Sequence, residues 1–132
     1  MSIKRIGGVK TGGGGQNLPF SQAVIAGDFL YMSGQVAMDE NGEIINGGIV
    51  AQTEKTMEHI IGILKLADCT LENVVKVGVW LDDPRDFASF NRVYAKYFTD
   101  APPARSTVES RIMVDAKIEM DVVAYKKGLS DQ

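Results

Sequence analysis

Residues 74–81 read Val-Val-Lys-Val-Gly-Val-Trp-Leu, and no other segment limits the possible folds so strongly. Successive side chains of a strand point to opposite faces, so Val75, Val77, Val79 and Leu81 share one face and Val74, Gly78 and Trp80 the other. A strand that is apolar on both faces needs cover on both. Two amphipathic helices are available to supply it. Between Gly48 and Asp68, Val50, Met57, Ile60, Ile61, Leu64 and Ala67 recur at helical spacing. After Asp83-Pro84, an N-cap and a residue suited to a first turn, Phe87, Phe90, Tyr94 and Tyr97/Phe98 form an aromatic row. Two helices on one face leave the other face bare, and a second copy of the chain is the natural cover.

The remaining elements read as strands and turns. Ala23-Val-Ile-Ala and the run from Phe29 to Met38 flank Gly27-Asp28 as a hairpin, and Asp39 to Gly42 forms a second turn before a short strand at Glu43 to Ile45. Ala104 to Ser110 is extended. Lys117 to Tyr125 alternates Ile118, Met120 and Val122 with Lys117, Glu119 and Asp121. Gly7, Gly8 and Gly12 to Gly15 mark the segment before Leu18-Pro19-Phe20 as a loop, and no Gly-Lys-Ser/Thr follows to make it a phosphate cradle. This order predicts an α+β domain over residues 1–132, with a mixed sheet of about six strands and two helices on one face.

Composition removes several classes of function. The 132 residues, 45% hydrophobic, suffice for a core without a disulfide, and the single cysteine, Cys69, allows none within the chain. The 14 Lys and Arg residues face 17 Asp and Glu, a net charge of −3 that argues against a nucleic-acid partner. The first residues, MSIKRIGGVK, lack the apolar stretch of a secretory signal, and no run is long enough to span a membrane, so a cytoplasmic location is expected.

Few residues are suited to chemistry. His59 has no ligand partner at metal spacing and Cys69 no second cysteine, so both read as packing residues and no metal is expected. Arg105 and Thr107 fall on one face of an extended stretch, where a guanidinium can hold a small carboxylate in a bidentate grip or pair with one of the chain's own acids. Glu119 is open to two readings in the same way: a site residue, or one charge on the solvated face of an edge strand.

Taken together, Leu18-Pro19-Phe20-Ser21-Gln22-Ala23, Ser33-Gly34-Gln35, Phe87-Ala88-Ser89-Phe90-Asn91, Pro103-Ala104-Arg105-Ser106-Thr107-Val108 and Lys117-Ile118-Glu119 resemble the RidA/YjgF family of reactive-intermediate deaminases, also labelled endoribonuclease L-PSP. The resemblance implies a chorismate-mutase-like fold assembled as a homotrimer with clefts at the subunit interfaces. It also implies hydrolysis of imino or enamino acids such as 2-aminoacrylate to 2-keto acids and ammonia, without cofactor or metal. By the same resemblance Arg105 anchors the substrate carboxylate, Glu119 positions water, and Phe20, Ser33, Gly34, Asn91 and Thr107 line the cleft. Thr107 stands where the family commonly has cysteine and Phe20 where it has tyrosine, and residues 111–116 are about one residue shorter than usual and lack a proline. The competing expectations are deamination of a larger enamine such as 2-aminomuconate, a regulatory trimer that binds a small ligand, and the ribonuclease or translation-inhibitor activity of the older label.

Overall fold

A computed structural model describes residues 3–11 and 17–132 of the chain. Gly12 to Gly15 lie outside the described residues. The elements run β1 (Ile3–Thr11), β2 (Asn17–Ala26), β3 (Phe29–Met32), α1 (Ile49–Leu66), β4 (Val74–Leu81), α2 (Phe87–Tyr97), β5 (Ala104–Glu109) and β6 (Ile118–Tyr125). The strands form one six-stranded sheet in the order β1-β2-β3-β6-β4-β5. Strands β4 and β5, which α2 connects, are parallel, and every other neighbouring pair is antiparallel. The expected mixed sheet with two helices is therefore present.

Local chemistry accounts for most of these elements. Ala26 pairs with Phe29 across the two-residue turn Gly27-Asp28, and Gly27 takes φ 64°, which a residue without Cβ adopts at no steric cost. The Asp28 carboxylate then accepts the Gly128 N–H at 3.0 Å, tying this turn to the segment after β6. Asp83 caps a single 3-10 turn, Pro84–Asp86, by accepting the Arg85 N–H at 2.9 Å, and α2 continues from it. Both helices pack on one face of the sheet through Met57, Ile60, Leu64 and Phe90 against Leu30, Val77, Ile118 and Met120. Burial of such side chains, each worth roughly 1.5–3 kcal/mol, is the main stabilising term.

Four sequence expectations need correction. The N-terminal segment read as a loop is in part the edge strand β1, which pairs with β2 from Ile3↔Ala26 onward. Its glycines misled the reading: the register shifts between Ile6 and Val9, where Gly7 and Gly8 take φ of 77° and 67°, so they form a bulge inside a strand. In α1, Val50 and Ile61 are exposed, and the buried face instead includes Gln52, Thr53 and Thr56. Gln52 is satisfied there, because its Oε1 accepts the Lys117 N–H at 2.9 Å and thereby fixes the helix to the start of β6. In β4, a register shift between Val74 and Lys76 puts Val74 on the helix side with Val77, Val79 and Leu81, and leaves Val75 exposed. Lastly, β6 is not an edge strand, because it lies between β3 and β4.

The second face of the sheet is partly covered from within the chain. Trp80 packs on a small cluster of Val36, Ile112 and Ala116 contributed by the loops after β3 and β5. Beyond it, Phe29, Tyr31 and Tyr125 remain exposed as a connected aromatic group, with Phe29 5.2 Å from Tyr125 and 6.4 Å from Tyr31 between ring centroids. Asp121 stands on this same face opposite Gly78, and burial pushes its carboxyl pKa up, against the opposing pull of the Gly78 N–H and Lys76.

Two outcomes follow from these features. A Cβ on Gly7 would stand 2.8 Å from Gln22 Cβ at a positive φ, so Gly7→Ala lowers unfolding free energy by about 1–2 kcal/mol, as read by denaturant melts. Because the folded pKa of Asp121 is raised, ionising it opposes folding, and that cost appears as pH rises through the folded value. Asp121→Asn therefore raises Tm at pH 7, and the gain over the parent chain vanishes below the ordinary aspartate value of 3.8.

Candidate functional site

Arg105 enters the core side of the sheet from the edge strand β5. It pairs with Val77, a fully buried residue, so the two side chains share the face on which the helices pack. There the guanidinium meets α2. Its Cζ lies 5.8 Å from the Phe87 ring centroid, 5.4 Å from Phe90 and 4.7 Å from Tyr94. Such cation–π contacts contribute about 0.5–2 kcal/mol each. Helical spacing makes this cradle, since residues three, four and seven apart share one side of a helix. Asn91 lies on the same side and its Oδ1 accepts a hydrogen bond from Arg105 Nη1 at 2.9 Å.

No carboxylate pairs with Arg105 among the described residues, where the ion pairs are Arg85–Asp83 and Lys126–Asp68. The ion-pair reading of Arg105 with one of the chain's own acids is therefore not realised within the described chain. Tyr94 is buried beside the guanidinium; burial raises its pKa, an effect that the Arg105 charge and its hydrogen bonding to the hydroxyl partly offset. Thr107, two residues along β5 and on the same face, keeps its buried hydroxyl without a partner.

Glu119 lies elsewhere. It pairs with Trp80, three residues from Val77, and an odd separation along a strand means the opposite face. Of the other residues expected at the site, Gly34 packs against it, and Ser33 is fixed next to Gly34. Ser33 Oγ donates to the Ser21 carbonyl at 2.6 Å, and the Ser33 N–H bonds the Gln22 carbonyl at 2.9 Å, which fixes the end of β3 against β2. Gln35 exchanges two backbone hydrogen bonds with Met120, of 2.7 and 3.0 Å, and this bridge sets Gly34 directly over Glu119. A Cβ on Gly34 would run into the Glu119 carboxylate. Phe20, on β2, is exposed.

The expected site residues thus form two groups. Arg105, Asn91 and Thr107 belong to the edge between β5 and α2, while Ser33, Gly34 and Glu119 belong to the opposite face of the sheet. Strand β4 separates β5 from β6, so the strands that carry Arg105 and Glu119 do not pair. The aromatic row of α2 was legible as a helix face, but its role as the cradle of Arg105 was not. His59 and Cys69 are packing residues, as expected: His59 Nε2 lies 2.7 Å from the Met38 carbonyl oxygen, and Cys69 is buried. Among the described residues no group of three His, Cys, Asp or Glu side chains comes together as metal ligands do, and no helix is long and apolar enough to cross a membrane.

Comparison with known proteins gives this arrangement a family. The model of the family described as endoribonuclease L-PSP matches residues 15–126. The chain belongs to that family, the RidA/YjgF group. Within the RidA/YjgF family the chain is similar to a RutC family protein of Pyrococcus abyssi, with 47% identity over 83% of this chain and 87% of that one. It is 36% identical to the 2-iminobutanoate/2-iminopropanoate deaminase of Capra hircus, over 85% of this chain and 83% of the relative. Its fold is similar to the crystal structure of yeast Mmf1, with a TM-score of 0.86, 32% identity, and coverage of 96% of this chain and 100% of the other.

The packing of Gly34 on Glu119 is directly testable. Gly34→Ala moves the Glu119 carboxylate to a new rotamer, seen in a crystal structure, while unfolding free energy changes by less than about 1 kcal/mol, because the displaced group is the end of a flexible side chain.

Proposed function

We propose that the chain is an imine deaminase of RidA type, hydrolysing 2-imino or 2-enamino acids to 2-keto acids and ammonia. The observation that carries this reading is Arg105: a half-buried guanidinium, cradled by three rings and hydrogen-bonded to Asn91, with no carboxylate of the described chain to neutralise it. Such a group is a receptor for a small carboxylate, and charge-assisted guanidinium–carboxylate pairs are among the stronger hydrogen bonds. The relative named as a 2-iminobutanoate/2-iminopropanoate deaminase supports the choice of an imino acid as the carboxylate.

In this reading Arg105 grips the carboxylate and aims the adjacent C=N carbon at a water held by Glu119. Water adds to that carbon as the C=N π bond opens onto nitrogen, giving a carbinolamine. A proton moves from oxygen to nitrogen, the C–N bond breaks, and ammonia leaves the 2-keto acid. The protonated imine is already electrophilic, so orientation and proton transfer are the main work required. Thr107 supplies no thiol, and this route uses none.

The two groups of residues lie on opposite faces of one chain, so a complete site takes Arg105, Asn91 and Thr107 from one copy and Glu119, Ser33, Gly34 and Phe20 from the next. A homotrimer closes such a head-to-tail arrangement into a ring with three equivalent clefts. The exposed aromatic group on the open sheet face supplies apolar area for that contact.

The reading is tested by generating imines in place with a threonine dehydratase or an amino-acid oxidase and following ammonia and keto-acid release. Addition of the protein accelerates release, and Arg105→Ala lowers kcat/KM by roughly 30-fold or more, the kinetic equivalent of about 2 kcal/mol or more. Full activity of a folded, assembled Arg105→Ala protein would overturn the assignment.

A further inference from the structure

Beside the Arg105 cradle lies a cavity of about 200 Å³ lined by Leu81, Pro84, Phe87, Thr107, Val108 and Glu109. Phe87 belongs to both, since its ring forms one wall of the cavity and stands 5.8 Å from Arg105 Cζ. Thr107 is the next residue after Arg105 on that face of β5, roughly 6.6 Å along the strand. A small 2-imino acid held by its carboxylate on Arg105 carries its side chain over about that distance. The walls are aliphatic and aromatic apart from the Thr107 hydroxyl, which is buried, and the carboxylate of exposed Glu109.

We infer that this cavity takes the side chain of the imino acid and that Glu109 sets the charge selection. Apolar substituents as large as those of leucine or phenylalanine enter it, while a second carboxylate meets Glu109 and is disfavoured. The inference rests on the deaminase reading and sharpens it, because it favours monocarboxylic imines over a dicarboxylic enamine of the muconate type.

The experiment uses imines made in place by amino-acid oxidases from alanine, leucine, phenylalanine and glutamate, with kcat/KM measured for each. The wild-type protein prefers the leucine and phenylalanine imines to the glutamate imine. Glu109→Gln raises the glutamate-to-leucine ratio about fivefold, the size expected for an exposed charge pair. Val108→Trp, which narrows the cavity, lowers the phenylalanine-to-alanine ratio about tenfold or more. Ratios unchanged in both variants would overturn the inference while leaving the deaminase reading intact. So would a change of oligomeric state in Val108→Trp, by sedimentation, since the cavity would then hold a neighbouring copy. Acceleration of none of the four imines by the wild-type protein would instead remove the deaminase reading, and this inference with it.

Discussion

The two-residue period of the β-strand governs where chemistry can occur on this chain. Arg105 is in register with buried Val77, and Glu119 with Trp80, so strand parity sends one group into the helix layer and the other to the opposite face. No side-chain rotation undoes this, because a sheet stands between them. The same alternation packs Ile118, Met120, Val122 and Ala124 into the core, so shifting the register of β6 to bring Glu119 across would expose four core residues. The separation of the two groups is thus a direct consequence of what makes the fold stable.

A second constraint is the charge of Arg105. Burying a cation beside apolar rings costs free energy unless something pairs with it, and the chain supplies three aromatic faces and one amide oxygen but no acid among its described residues. The α2 row does two jobs at once: Phe90 and Tyr94 belong to the core, and together with Phe87 they hold the guanidinium in place. Preorganisation of this kind limits the entropy lost when a carboxylate binds. Site and core are consequently coupled, and variants of α2 are expected to affect both.

Much of this was legible in the residues, for identifiable reasons. The two helices, the Gly27-Asp28 hairpin and strands β4, β5 and β6 follow from periodicity and turn chemistry. The errors arose where one pattern admits two readings. Val74-Val75 is apolar at consecutive positions, so the sequence cannot say which valine faces the core, and the bulge decides for Val74. In α1, Gln52 and Thr56 are buried with partners, the Gln52 Oε1 accepting the Lys117 N–H and the Thr56 hydroxyl donating to the Gln52 carbonyl, and Thr53 is buried without one, whereas Val50 and Ile61 face outward, so hydrophobicity alone chose the wrong stripe. Glycines at 7 and 8 suggested a loop because strand pairing is a long-range property with no local mark. For the site, Arg105 and Glu119 could be named from motifs, but their opposite faces required the register of three strands.

The central claim is that a complete site uses Arg105 of one copy and Glu119 of another. It is tested most directly by mixing Arg105→Ala and Glu119→Gln chains, each expected to be strongly impaired alone, through unfolding and joint refolding. If the claim holds, random assembly of equal amounts restores clefts in which both residues are native, and imine hydrolysis returns to about a quarter of the wild-type rate. Mixed oligomers, verified by mass spectrometry, that stay as inactive as either parent would contradict it.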